Sequence, residues 1–305
     1  MDLKQLTALL AVAEHGSFTA AAHAIHTVQS NVSSHVARLE KELGVSLVDR
    51  SSGGLTEEGQ AAVARARRIQ AELAALTSDV AALRDEVVGS VRVGVIGSIG
   101  RWLAPDLLAR MRSRHPRVDL VLVDATTTSL LPQLLDGGLD LAIVNLPVTD
   151  PAISVQPLFE EERILVAPVG HPLADHRELR LADLVPHELI LEPRGTAFRD
   201  ELDQAARAAG VDLHPLAEVD GMTLVASLAV GGFGPAILPT TATFDQPSGA
   251  WVSIPVADLH HRAVGLARRR SGRLAAPARA LRDIVVELIT QEAPAHQGVE
   301  IDVTA

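Results

Sequence analysis

Apolar residues recur at helical spacing through the first 45 positions. In DLKQLTALLAVAEHG, Leu3, Leu6, Leu9, Leu10 and Ala13 mark one face, and Gly16 ends the helix. Ser17 is placed to cap a short helix, FTAAAHAI, and Thr27 to cap a third. In that third helix Val32, Val36, Leu39 and Leu43 recur at steps of 4, 3 and 4 before Gly44. On a helical wheel Ser30, Ser34, Ala37 and Lys41 lie opposite them. Gln29 and Ser33 flank one side, Asn31 and Arg38 the other. Small and hydrogen-bonding side chains on an outward face suit close approach to a groove, so the two short helices read as a helix-turn-helix. SLVDRSSGGLTEEG offers a short wing after it. A helical bundle with a polar outer face is the plainer alternative.

Alanine-rich sequence free of proline then predicts one long helix over 57–88. Its residues Ile69, Leu73, Leu76, Val80, Leu83 and Val87 repeat at steps of 4, 3, 4, 3 and 4. That narrow stripe predicts pairing with a second helix, hence a dimerisation element. Beyond Gly89 the pattern changes to strands alternating with helices, which implies parallel-rich α/β layers. Residues 292–305 read as a flexible tail.

Composition narrows the chemistry. The 305 residues contain no cysteine, which removes disulfides, thiolate catalysis and Cys-based zinc sites. Net charge is −11, and residues 1–89 carry 8 Lys/Arg against 11 Asp/Glu, so no bulk basic surface advertises nucleic acid. His23 and His26 stand three apart and His260 and His261 are adjacent, but no acidic set completes a metal site; no metal or other cofactor is expected. The apolar runs are too short and broken to cross a bilayer, and no basic leader precedes the first helix, so a cytoplasmic protein is expected.

The segment from LTALLAVAEHGSFTAAAHAIHTVQSNVSSHVARLEKELG to LTEEG resembles the winged helix-turn-helix of LysR-type transcriptional regulators, through GSFT-x-AA, Q-S-x-V-S, LEKELG and the closing LT-x-x-G. DGGLDLAI at 136–143, HPL at 171–173 and GGFGPAILP at 231–239 extend the likeness over nearly the whole chain. The resemblance implies a multidomain fold. It comprises an α winged helix-turn-helix domain over 1–59 (helix-turn-helix about 18–37), a linker helix over 57–88, and an effector domain over 90–291. The last would be an α/β domain of the type 2 periplasmic-binding-protein kind, with one subdomain at about 90–163 and 265–291 and the other at about 164–264. Matched by position, Thr27, Gln29, Ser30, Asn31, Ser33, Ser34 and Arg38 would meet DNA, with Arg50, Ser52 and Gly53 in the wing. Ser34 and Ala37 stand where many members place basic or longer polar residues, so the phosphate grip should be modest. A homodimer, and through the family a tetramer formed as a dimer of dimers, is implied.

Ligands of open α/β domains sit at strand C-termini and helix N-termini. That rule selects Ser98, Ile99, Thr126, Thr127, Thr128 and Asn145, with Arg194, Gly195, Thr196, Asp220, Gly221 and Met222 from the second subdomain. The family places inducer contacts in the same loops. Helix N-termini with Arg194 would suit a small carboxylate as effector. Two other functions compete: a small-molecule receptor whose N-terminus only oligomerises, and a hydrolase using Ser98. The second lacks the G-x-S-x-G spacing and an identified His/Asp partner.

Overall fold

The computed structural model describes residues 1–49, 53–84, 86–244, 249–295 and 298–301. Two compact units emerge: Met1–Thr77 together with Asp136–Gly138, and the remaining residues.

In the first unit α1 (Leu3–His15) opens on a capping box, Asp2 accepting from the Gln5 amide while the Gln5 side chain accepts from that of Asp2. Gly16, at φ 69°, closes it in the left-handed conformation. α2 (Phe18–Ala24) is capped by Ser17, whose Oγ accepts from the Ala20 amide at 3.2 Å. α3 (Gln29–Leu43) differs from expectation at both ends. Its N-cap is Val28, without a side-chain bond, because Thr27 instead receives the Asn31 amide group at 3.0 Å. Leu43 is exposed, since the core fed by Val32, Val36 and Leu39 ends a turn earlier. Among the described residues the wing shows one antiparallel bridge, Val48 with Leu55.

α4 (Glu57–Ala82) is six residues shorter than expected, so Leu83 and Val87 lie beyond it. Ile69, Leu73, Leu76 and Val80 are exposed along the helix, and Leu83 is 86% exposed.

The second unit holds two lobes. Its larger sheet runs β11-β4-β10-β3-β1-β2, built from β1 (Gly89–Val95), β2 (Val118–Asp124), β3 (Leu141–Asn145), β4 (Ile153–Glu161), β10 (Arg262–Arg269) and β11 (Val299–Glu300). Only β1 with β2 and β1 with β3 pair parallel in it; β10 and β11 join antiparallel. The parallel-rich expectation is therefore corrected. β10 returns from the other lobe and needs no crossover helix, so it enters in the opposite sense. α5 (Gly97–Arg114), α6 (Thr127–Asp136) and α10 (Ala276–Glu292) supply the layers around a core including Val93, Ile99, Leu103, Ile143, Leu266 and Leu281.

The smaller lobe contains β5 (Arg163–Pro168), the short α7 (Leu181–Leu184), β6 (Glu188–Leu191), α8 (Ala197–Ala208), β7 (His214–Glu218), α9 (Met222–Val230), β8 (Ala236–Pro239) and β9 (Trp251–Pro255). β5 pairs antiparallel with β8 and β9, while β6 and β7 run parallel. The chain passes between the lobes from β4 into β5 and from β9 into β10. Residues 292–295 and 298–301 depart from the flexible-tail expectation. Val299 and Glu300 pair with Glu161 and Glu160, and Val299 is buried, so the sheet edge and an apolar contact hold the segment.

Candidate functional site

Gln29, Ser30, Asn31, Ser34 and Arg38 are exposed on α3, and Ser33 is half-buried. The buried trio Val32, Val36 and Leu39 fixes the rotation of the helix and aims those side chains outward. Arg38 lies back along its own helix, its Nε donating to the Ser34 carbonyl at 3.4 Å. Thr27 and Gly53 are half-buried, whereas Arg50 and Ser52 lie outside the described residues. His26, at φ 54°, supplies the left-handed residue of the turn before α3.

In the second unit a cavity of about 330 Å³ opens among the starts of α5, α6, α8 and α9. Eight expected residues line it: Ser98, Thr126, Thr127, Asn145, Thr196, Asp220, Gly221 and Met222. Ile99 points into the apolar core, and Thr128, Arg194 and Gly195 are exposed outside the lining. Other lining residues were not expected: Asp124, Ser129, Glu192, Thr223 and Arg262. The rule of helix starts and strand ends covers Asp124 and Ser129 in hindsight; nothing local in the sequence marks Glu192 or Arg262.

Arg262 is the organising side chain. It begins β10, pairs in register with Glu161 at the end of β4, and is 1% exposed. Its Nε donates to Glu161 Oε1 at 3.0 Å, and its Nη2 donates to the same oxygen. The other carboxylate oxygen accepts from the Thr241 amide at 2.9 Å. Nη2 also donates to Ser98 Oγ at 2.9 Å, so one guanidinium ties both chain crossings to the cavity wall. Ser98 is thus held by a cation, and no histidine lines the cavity among the described residues.

The cavity is acidic. Asp124 ends β2, Glu192 follows β6, and Asp220 precedes α9. Desolvation raises the Glu192 pKa above the usual carboxylate range, against the Thr196 hydroxyl and the Arg262 charge, which lower it; Asp220 nearby adds to the rise. Desolvation also raises Asp124. Among the described residues Arg262 is the one cation in the lining, and it is already matched by Glu161. With Arg194 outside, the small-carboxylate expectation loses the cation it relied on. Among the described residues no group of three or more His, Asp or Glu could hold a metal ion, and no helix is long and apolar enough to cross a membrane.

The chain matches two family models: the bacterial regulatory helix-turn-helix protein, lysR family, over residues 3–60, and the LysR substrate binding domain over residues 84–289. It is 35% identical over 244 residues to a probable hydrogen peroxide-inducible genes activator of Streptomyces viridosporus, spanning 79% of this chain and 78% of that one. Among solved structures, full-length OxyR from Pseudomonas aeruginosa, in a cysteine-to-aspartate form, superposes with a TM-score of 0.75 at 25% identity over 95% of both chains. Full-length CbnR complexed with its target DNA does so with a TM-score of 0.67 at 25% identity, over 96% of this chain and all of that one. Unlike the natural form of that OxyR, this chain has no cysteine, so it cannot respond to an oxidant through a thiol. The chain belongs to the LysR family: it is a DNA-binding regulator of transcription with an effector-binding C-terminal unit, and not an enzyme.

Proposed function

We propose that α3 reads a specific DNA sequence through Gln29, Ser30 and Ser33, with Asn31 and Ser34 beside them. Arg38, Thr27 and the wing residues Arg50, Ser52 and Gly53 hold the phosphate backbone. The observation that carries this reading is the outward face of α3, where five polar side chains are exposed above three buried apolar ones. Gln pairs with adenine N6/N7, Ser serves either a base edge or a phosphate, and Arg supplies a charged contact.

The active form is a homodimer, further assembled as a dimer of dimers, and it works in the cytoplasm. Support for pairing comes from Ile69, Leu73, Leu76 and Val80, an exposed apolar stripe at steps of 4, 3 and 4 along α4. The effector occupies the cavity lined by Ser98, Thr126, Thr127, Asn145, Thr196 and Met222. Its volume lies at the small end of ligand pockets, which suits a metabolite-sized molecule.

Footprinting on the DNA upstream of the protein's own gene tests the proposal. Two protected half-sites about one helical turn, or a multiple of it, apart are expected. Absence of protection at any salt concentration, with Gln29→Ala indistinguishable from the unaltered chain, contradicts it.

A further inference from the structure

We propose that the effector carries a protonated amine, received by Glu192 and Asp220 with Asn145 beside them. This rests on the reading of the cavity as the effector site and goes beyond it by assigning the chemistry of the ligand.

The first observation is the balance of charge. Three carboxylates line the cavity, and the guanidinium of Arg262 spends two of its donors on Glu161 and shares one of these with Ser98. A ligand carboxylate would enter beside Asp124, Glu192 and Asp220 with no uncommitted cation in the lining to offset them.

Four helix N-termini also open here and would by themselves attract an anion. Three of them already have an acid of the chain. Asp124 lies at the start of α5, close enough that a Cβ on Gly97 would be 3.2 Å from its Oδ1. Glu192 accepts from the Thr196 hydroxyl, at the N-cap of α8, at 3.2 Å. Asp220 directly precedes Gly221, the N-cap of α9. At these three helix ends the place an anionic ligand would take is therefore held by an acid of the chain.

The second observation is independent of the acids. Asn145, 7% exposed at the end of β3, lines the cavity, and its Oδ1 is buried without a hydrogen-bond partner. Its backbone amide is satisfied by Thr127 Oγ1 at 2.9 Å, so the side-chain oxygen alone lacks a donor. A buried acceptor left unpaired is costly, and an ammonium group brings three donors. A carboxylate brings none. The start of α6, with Thr126 and Thr127, has no acid of its own among the lining residues and can receive a polar or anionic far end of the same molecule.

The test uses the full-length chain and three probes of matched size: butylamine, 2-aminobutyrate and butyrate. Binding is read by isothermal titration and by thermal shift. Butylamine or 2-aminobutyrate is expected to bind and stabilise the chain, with butyrate at least tenfold weaker. Binding by 2-aminobutyrate alone identifies an amino acid as the natural class; binding by both assigns the ammonium as the shared determinant. Glu192→Gln, which keeps the size and the Thr196 contact, is expected to weaken the amine by about tenfold or more. Asp220→Asn serves as the second variant should the first fail to fold. Butyrate binding as tightly as the amines, no response to either amine, or amine binding unaffected by both variants overturns the proposal. Failure of the effector-site reading looks different: a probe of any class binds, yet Asn145→Ala and Met222→Ala leave its affinity unchanged.

Discussion

The outer face of α3 and the wall of the cavity are both polar surfaces shaped for a partner, yet they hold their polar atoms in opposite ways. On α3 the side chains are mostly exposed and uncharged, and the bonds of Asn31 and Arg38 stay within the helix and the turn before it. Removing one should leave the rest of that surface as it was. In the cavity Arg262 and Glu161 are 1% and 0% exposed and satisfy each other, Ser98 and Thr241 through one network. Removing one member leaves the rest stranded. The face of α3 can therefore vary residue by residue, while the wall of the cavity changes only in concert.

The largest test of that contrast is Arg262→Met. It leaves the Glu161 charge buried without its partner, and breaking such a pair costs about 3–5 kcal/mol. Equilibrium denaturation of the full chain should show the loss in the second unit, and Arg262→Met with Glu161→Leu should recover most of it. A single variant as stable as the unaltered chain would mean that the network contributes nothing.

On the exposed side, Gln29→Ala should remove about 1–3 kcal/mol of preference for the specific site while leaving stability unchanged. Competition gel shifts against a scrambled duplex measure the preference. Smaller again is Ser17→Ala, which deletes the α2 cap and should cost about 1 kcal/mol by thermal unfolding.

The finest test is pH. Burial raises the Glu192 and Asp124 carboxyls, so both protonate above the range of ordinary carboxylates as pH falls. The charged groups facing them are Asp220, Arg262 and, behind Arg262, Glu161. Neutral carboxyls no longer draw an ammonium, so amine affinity should decline on acidification while Glu192 and Asp124 take up protons. The same raised values mean that the folded form binds these protons more tightly than the unfolded one, so this contribution to stability grows as pH falls. Flat amine affinity through that window would place the amine away from both carboxyls.

The two regions also differ in how much the sequence reveals. Val32, Val36 and Leu39 announce the buried side of α3 by spacing alone, and with it the exposed side. Leu43 misleads because periodicity continues past the point where the core stops. β4 escapes a reading by pattern because Pro157 and mixed burial break its alternation, and its pairing with β10 shifts register between Val264 and Gly265. β11 is two residues long, too short for any period. In the cavity, the strand-end and helix-start rule finds Ser98, Thr127 and Asn145, since it follows from topology. Arg262 and Glu161 stand 101 residues apart, and nothing near either one tells that the other will neutralise it. Charge balance in a cleft is a property of the fold, so the expected anion-binding site becomes an acidic one only when both lobes are assembled.

The division between reading and gripping on α3 can be measured by one experiment: the salt dependence of binding to the specific and a scrambled duplex, for the unaltered chain, Gln29→Ala and Arg38→Gln. The slope should be shallow overall, because the face of α3 carries few cations. Gln29→Ala should erase most of the preference between duplexes at unchanged slope. Arg38→Gln should weaken both duplexes alike and reduce the slope by about 0.9 for one lost phosphate contact. A steep slope on the scrambled duplex, or a preference untouched by Gln29→Ala, would contradict that division.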